Sequence, residues 1–202
     1  MGVSEFSSLR SELRTAIRDL HGLQWSDTAL DAIINEAQRE YALYSSELTS
    51  SFEVIAHESG IQTAPVDFIE PLRYVTPDGF EHPIVSWRYL HERHPDFRKI
   101  VGSYGEALCF DFDGFGKYRI FPRLAAGSPA GCVYYRRLPA KDKLEFHDTE
   151  PIVQHSLYQL FLLTGKGSAV NYFDRFVRLV NRESRSSQTL RNRRSHRCGS
   201  YY

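Results

Sequence analysis

Residues 107–122 read Ala107-Leu-Cys-Phe-Asp-Phe-Asp-Gly-Phe-Gly-Lys-Tyr-Arg-Ile-Phe-Pro122, and a Gly/Ser/Pro loop then leads into Cys132-Val-Tyr-Tyr-Arg136. The first arm alternates, with Leu108, Phe110 and Phe112 on one face and Cys109, Asp111 and Asp113 on the other. Period-two alternation bounded by glycines marks a half-buried strand. The return arm alternates as well, Tyr118 and Ile120 against Lys117 and Arg119. A three-residue loop, Gly114-Phe115-Gly116, pairs Phe112 with Tyr118 and Phe110 with Ile120 on the dry face. It pairs Asp113 with Lys117 and Asp111 with Arg119 on the wet face. Gly116 then takes the left-handed last position that such loops require. A one-residue slip sets aromatics opposite charges, so alternation opposes it. Asp111, Asp113 and Gly114 also look like a fragment of a calcium loop. That loop needs a later bidentate carboxylate, and the corresponding region here is Phe121-Pro122-Arg123.

Working outward, the 202-residue chain suits one domain or two small ones. Its 13% aromatic content allows a substantial core. Net charge is zero but unevenly spread: residues 181–202 hold six arginines and one acid, Glu183, which leaves residues 1–180 at −5. The pattern is an acidic body with a basic tail. Cysteines 109, 132 and 198 show no metal-type spacing and imply a reducing site of synthesis, the cytoplasm. The first twenty residues are amphipathic and charged, unlike a signal peptide, and no apolar run approaches the ~18 residues of a membrane span.

N-terminal to the hairpin, Phe6, Leu9, Leu13, Ile17 and Leu20 recur at helical spacing and predict a first helix ending near Gly22. Ser26 or Asp27 caps a second, from about Thr28 to Leu48, with the stripe Leu30, Ile33, Ile34, Ala37, Tyr41, Tyr44 and Leu48. Phe52–Ala56 reads as a strand and Gly60–Pro65 as a turn region. Leu72–Val75 and His82–Val85 read as a hairpin around Pro77-Asp78-Gly79, and Trp87–His94 as a short helix stopped by Pro95. After Pro139, Asp148 or Thr149 caps a helix that runs to Gly165, and Ser168 opens a last one containing Val170, Phe173, Phe176, Val177 and Val180. The final fifteen or so residues have few apolar side chains and are expected to be disordered alone.

Enzyme motifs find little support. His91 and His94 stand three apart, not in the metalloprotease arrangement, and read best as a solvated polar face. Gly165-Lys166-Gly167-Ser168 lacks the upstream glycine and strand of a phosphate loop. No nucleophile elbow occurs. The basic tail is the remaining signal. It suits phosphate binding or docking along an acidic protein surface, and the aromatic pair Tyr201 and Tyr202 favours docking.

The order of features also carries a resemblance. Two N-terminal helices lead into Pro65-Val66-Asp67-Phe68-Ile69. A Pro-Asp-Gly turn, a Trp/Tyr helix and Pro95-Asp96-Phe97 follow. Then come a hairpin ending Tyr118-Arg119-Ile120-Phe121-Pro122, the strand Val133-Tyr134-Tyr135 and two closing helices. Over about residues 5–185 this resembles the head-to-tail adaptor (connector) proteins of short-tailed phages. The resemblance implies a virion protein at the head–tail junction that assembles as a homo-oligomeric, twelve-fold ring beneath the portal. Such a ring extends the channel for genomic double-stranded DNA and carries tail nozzle and fibre proteins. Catalytic residues, metals and cofactors are not expected.

The sequence therefore predicts an α+β fold. Residues 1–50 and 148–185 form a helical bundle of two N-terminal and two C-terminal helices. Residues 51–147 form an inserted antiparallel β module of hairpins, barrel-like in character. Residues 186–202 form an extended basic C-terminal arm. The residues expected to dock on the portal are Leu190, Arg191, Arg193, Arg194, Arg197, Tyr201 and Tyr202. Two other readings are a DNA- or RNA-binding accessory protein that uses the tail, and a metal-dependent nuclease that uses Asp111 and Asp113.

Overall fold

The computed structural model describes residues 5–58, 60–102, 107–110 and 116–198, with 108–110 and 184–198 described as backbone. In chain order these form α1 (Glu5–Ile17), α2 (Asp27–Ala42), β1 (Thr49–Ile55), β2 (Gln62–Thr63), β3 (Phe68–Val75), β4 (Glu81–His82), β5 (Ile84–Ser86), α3 (Trp87–Arg93), β6 (Ala107–Phe110), β7 (Lys117–Phe121), β8 (Pro129–Arg137), α4 (Glu150–Leu163) and α5 (Ala169–Cys198). The fold class is α+β, with helices at both ends of the chain. The residues fall into two compact units, Met1–Leu48 with Leu138–Tyr202, and Thr49–Arg137.

In the helical unit, α4 is the central element. It packs on α1, α2 and α5, and Pro151, Ile152, Val153, His155, Ser156, Leu157, Leu160 and Phe161 are all buried. A helix apolar on most sides has to be surrounded. α1 buries Phe6, Leu9, Leu13 and Ile17 at the predicted spacing. It stops at Ile17, and Leu20 is 68% exposed. The stop is local chemistry. Arg18 takes a left-handed φ of 61°, and the Asp19 carboxylate accepts the N–H groups of Leu23, Gln24 and Trp25 at 2.8–3.2 Å. Arg14 donates to the same carboxylate at 3.1 Å.

α2 starts where the sequence places it, with the Ser26 hydroxyl accepting from the Ala29 N–H. It ends at Ala42 rather than Leu48. The Ser45 N–H closes back on the Tyr41 carbonyl at 2.9 Å, and the Ser45 hydroxyl takes the Glu47 N–H. Leu30, Ile33, Ile34, Ala37 and Tyr41 line the core as predicted, whereas Tyr44 is exposed. Residues 138–147, assigned by sequence to the β module, sit with this unit instead. Asn35 exchanges two hydrogen bonds with Asp142, and the Phe146 ring lies 4.8 Å from that of Tyr41.

The second unit contains two open four-stranded sheets, ordered β1-β8-β3-β4 and β2-β7-β6-β5, not a closed barrel. Pairing is antiparallel except between β5 and β6, so the purely antiparallel expectation fails at that pair. The chain between these two strands, which includes α3, is the crossover that a parallel pair requires. The predicted hairpin of 72–75 with 82–85 divides at Pro83. β4 stays with β3, while β5 joins the other sheet. Pro83 has no N–H to continue a ladder. Val54, Tyr74, Tyr118, Ile120 and Val133, drawn from both sheets, share one core.

The β6–β7 hairpin exists, with a register displaced by two residues. Phe110 faces Tyr118 and Leu108 faces Ile120, so the connection is longer than three residues. An even displacement leaves the alternating faces intact, so alternation alone does not discriminate against it. Phe112, Asp111 and Asp113 lie outside the described residues. Arg119, expected on the wet face, is buried at 7% exposure. Its guanidinium lies 5.6 Å from the Trp87 ring and 5.9 Å from the Phe97 ring.

Gly116 does adopt a left-handed φ of 61°, its carbonyl accepts the Ala64 N–H at 2.7 Å, and an added Cβ would meet the Ala64 methyl at 3.4 Å. Gly116→Val should therefore lose about 1–2 kcal/mol, since a β-branched side chain is strained there. A thermal melt checks this, and an unchanged Tm would refute the assignment.

Candidate docking arm

The arm grows from the α4–α5 connection. Gly165, with φ 68°, ends α4, and the Lys166 N–H reaches back to the Phe161 carbonyl at 2.9 Å. The Gly-Lys-Gly-Ser segment is thus an interhelical turn, as read from sequence. α5 then runs thirty residues, about 45 Å at the helical rise.

Its first half is built onto α4. Ala169, Phe176 and Val180 are buried. Tyr172 stacks on Phe161 at 5.0 Å and 4°. Phe173 lies 5.0 Å from Tyr158, and Phe176 lies 4.8 Å from His155. His155 is itself buried, and its Nδ1 has no hydrogen-bond partner. Burial holds this imidazole below its ordinary pKa, and Glu36 acts weakly in the opposite sense.

A pH dependence follows. The unfolded chain binds a proton that the folded chain resists, so stability rises with pH across that interval. Stability from this site is complete above about pH 6.5, the ordinary imidazole value. It is lost as pH falls from there towards the lower folded value. Tm measured between pH 8 and pH 5 should drop, and His155→Gln should flatten the drop. An equal drop in both proteins would refute the role of His155.

The point where α5 leaves the bundle is fixed by Glu183. The Tyr41 hydroxyl donates to one oxygen of its carboxylate. Ser45 Oγ donates to the other at 3.1 Å. Burial, then the bond to Glu183, pushes the Tyr41 hydroxyl far above the usual phenol range, which keeps it a donor. Beside it, Arg182 approaches Asp148 at 3.9 Å, and Tyr41, Pro151 and Leu179 complete a cleft with these groups. The only acid of residues 181–202 is therefore the clamp at the base of the basic segment.

Beyond Glu183 the backbone stays helical to Cys198. This corrects the expectation of an extended arm over 186–202. From Ser168 to Cys198 the chain has no glycine or proline, and Leu, Arg and Gln are strong helix formers. The packed first half supplies the nucleus, so each added turn costs only propagation. Leu190, Arg194 and Arg197 recur at i, i+4 and i+7 and share one helix face, with Arg191 and Arg193 on its flanks. Tyr201 and Tyr202 lie outside the described residues.

The rival chemistry gains no site. His91 is exposed on α3, and His94 stacks on Phe121 at 5.0 Å. Among the described residues, no three His, Cys, Asp or Glu side chains cluster as metal ligands. Also among them, no helix is long and apolar enough to cross a membrane.

No curated protein sequence matches the chain. The family model of the SU10 adaptor protein matches residues 4–197, which takes in the bundle, both sheets and the helical arm. The chain belongs to the SU10 adaptor protein family and is a structural adaptor of a bacteriophage.

Proposed function

We propose that this protein forms a twelve-fold ring beneath the portal of a short-tailed phage. In this reading the ring extends the channel for genomic DNA and carries the tail nozzle and fibres. The C-terminal half of α5, with Leu190, Arg191, Arg193, Arg194 and Arg197, docks on the portal together with Tyr201 and Tyr202. The observation that carries the reading is the build of α5: its first half is fixed to the bundle and clamped at Glu183, and its second half projects arginines. A basic helix suits an acidic groove between portal subunits. An acidic body suits a channel wall along which DNA slides without sticking.

The test is cosedimentation of the full chain with purified portal rings, and with duplex DNA, at two ionic strengths. Stable portal complexes of fixed stoichiometry support the adaptor ring. The second reading, a nucleic-acid accessory protein, is favoured by the eight arginines and two acids of α5. It requires tight binding to free DNA with a steep salt dependence. DNA binding without portal binding would establish it instead.

A further inference from the structure

The apolar sector of α5 is wider than the surface that covers it. Helical geometry, about 100° per residue, sets Ala169, Tyr172, Phe176, Val180 and Glu183 against the bundle. It sets Phe173, Val177 and Val170 on the adjoining flank. That flank is open: Val170 is 62% exposed, Phe173 41% and Val177 37%. Arg175 and Arg178, also exposed, accompany it.

A complementary surface lies on the same unit. α1 and α2 together carry seven acids against four arginines. The side of α2 away from its core carries Ala32, Glu36 and Leu43, with Glu40 at its edge; Leu43 is 46% exposed. Among the described residues, Glu36 and Glu40 form no ion pair. Tyr41, which meets Glu183 of α5, stands roughly half a turn of α2 away from Ala32 and Leu43. The two surfaces thus lie on opposite sides of one molecule and cannot meet within it.

We infer that the Val170–Phe173–Val177 flank of α5 is covered by the Ala32–Glu36–Leu43 side of α2 in a second copy of this chain. Apolar side chains there meet Ala32 and Leu43, while Arg175 and Arg178 meet Glu36 and Glu40. Because the two surfaces differ, the contact is heterologous and propagates head to tail. Such a contact closes into a ring when its rotation divides the circle. The inference rests on the ring reading above and names the faces by which neighbours join.

The test uses full-length protein with a benzophenone amino acid in place of Val170, as a mixture of isotopically light and heavy copies bound to portal rings. Irradiation and peptide mapping should join position 170 to the α2 peptide of another copy, with mixed-isotope pairs. In parallel, Val170→Asp sets a carboxylate against Glu36 and Glu40 of the neighbour. It should lower ring occupancy about tenfold, with Tm unchanged because an acid in the first turn of a helix is tolerated. Portal complexes that form normally but crosslink position 170 to portal, or to nothing, overturn the inference and leave the ring reading standing. Absence of any portal complex overturns both.

Discussion

Gly131→Ala should be the most damaging single methyl that can be added to the β unit. β8 is the one strand flanked on both sides in its sheet by long partners, β1 and β3. Gly131 pairs with Val54 of β1 beside a register break at Val54/Ile55. Its φ of 131° belongs to a region that side-chain-bearing residues rarely adopt, at about 1–3 kcal/mol. A Cβ built there would stand 2.2 Å from the Val75 carbonyl oxygen and 2.9 Å from the Thr76 Cα. Both neighbours are backbone of β3 and its turn, so neither can rotate aside. Relief would have to part β3 from β8 next to Tyr74, whose hydroxyl donates to the Ala130 carbonyl at 2.6 Å. Strain and steric conflict together place the loss at about 4 kcal/mol or more, a fall in Tm of roughly 10 °C for a chain of this size. Gly79→Ala is the matched control. Its φ of 87° is also positive, but an added Cβ there meets nothing within 4 Å, so it should lose only about 1 kcal/mol. If the two variants melt together, the close approach at Gly131 is not real.

Gly131 also shows where sequence reading ran short. Gly127-Ser-Pro-Ala-Gly131 looks like a loop, yet β8 begins at Pro129. Proline is admissible at the first residue of a strand, and glycine inside one marks a close backbone approach. Neither fact is decidable until the neighbouring strand is known. The same holds at Pro83, where the chain changes sheets, and in the β6–β7 hairpin, where a two-residue displacement preserves every face. Helical stripes were easier. The buried sets of α1 and α2 follow from period 3.6, because burial of one face is what that period encodes. The charge of the arm was legible for a similar reason, since six arginines in 181–202 need no partner to be noticed. Its helicity was not, because composition reports what a segment does alone, whereas this one extends a helix already anchored on α4. The Glu183 clamp was hidden because Tyr41 and Ser45 are 142 and 138 residues away in sequence.

Truncation after Glu183 should abolish portal docking and leave the fold intact. The cut removes five of the six arginines of 181–202, with Leu190, Tyr201 and Tyr202. It spares Phe176 and Val180, which α4 buries, and Glu183, which Tyr41 and Ser45 hold. The truncated protein should therefore stay soluble and melt within a few degrees of the full chain. Its affinity for portal rings should fall at least about a hundredfold, because charge attraction and aromatic anchoring are lost together. The two contributions separate by salt. Replacing Arg191, Arg193, Arg194 and Arg197 with glutamine should weaken docking most at low ionic strength, where screening of the parent protein is least. Replacing Tyr201 and Tyr202 with serine should weaken docking by a factor that salt hardly changes, since burial of rings is not screened. Helicity adds a third arm to the experiment. Ser187→Pro keeps every arginine and tyrosine but breaks the helix between Glu183 and Leu190, uncoupling the basic face from the clamp. If the docking surface is a helix face held in register by Glu183, this variant should behave almost as badly as the truncation. If it docks normally while the arginine variant does not, charge alone suffices and the arm works as a tether. Should the truncated protein bind portals as well as the full chain, the arm is not the docking element, and the nucleic-acid reading becomes the better account of its arginines.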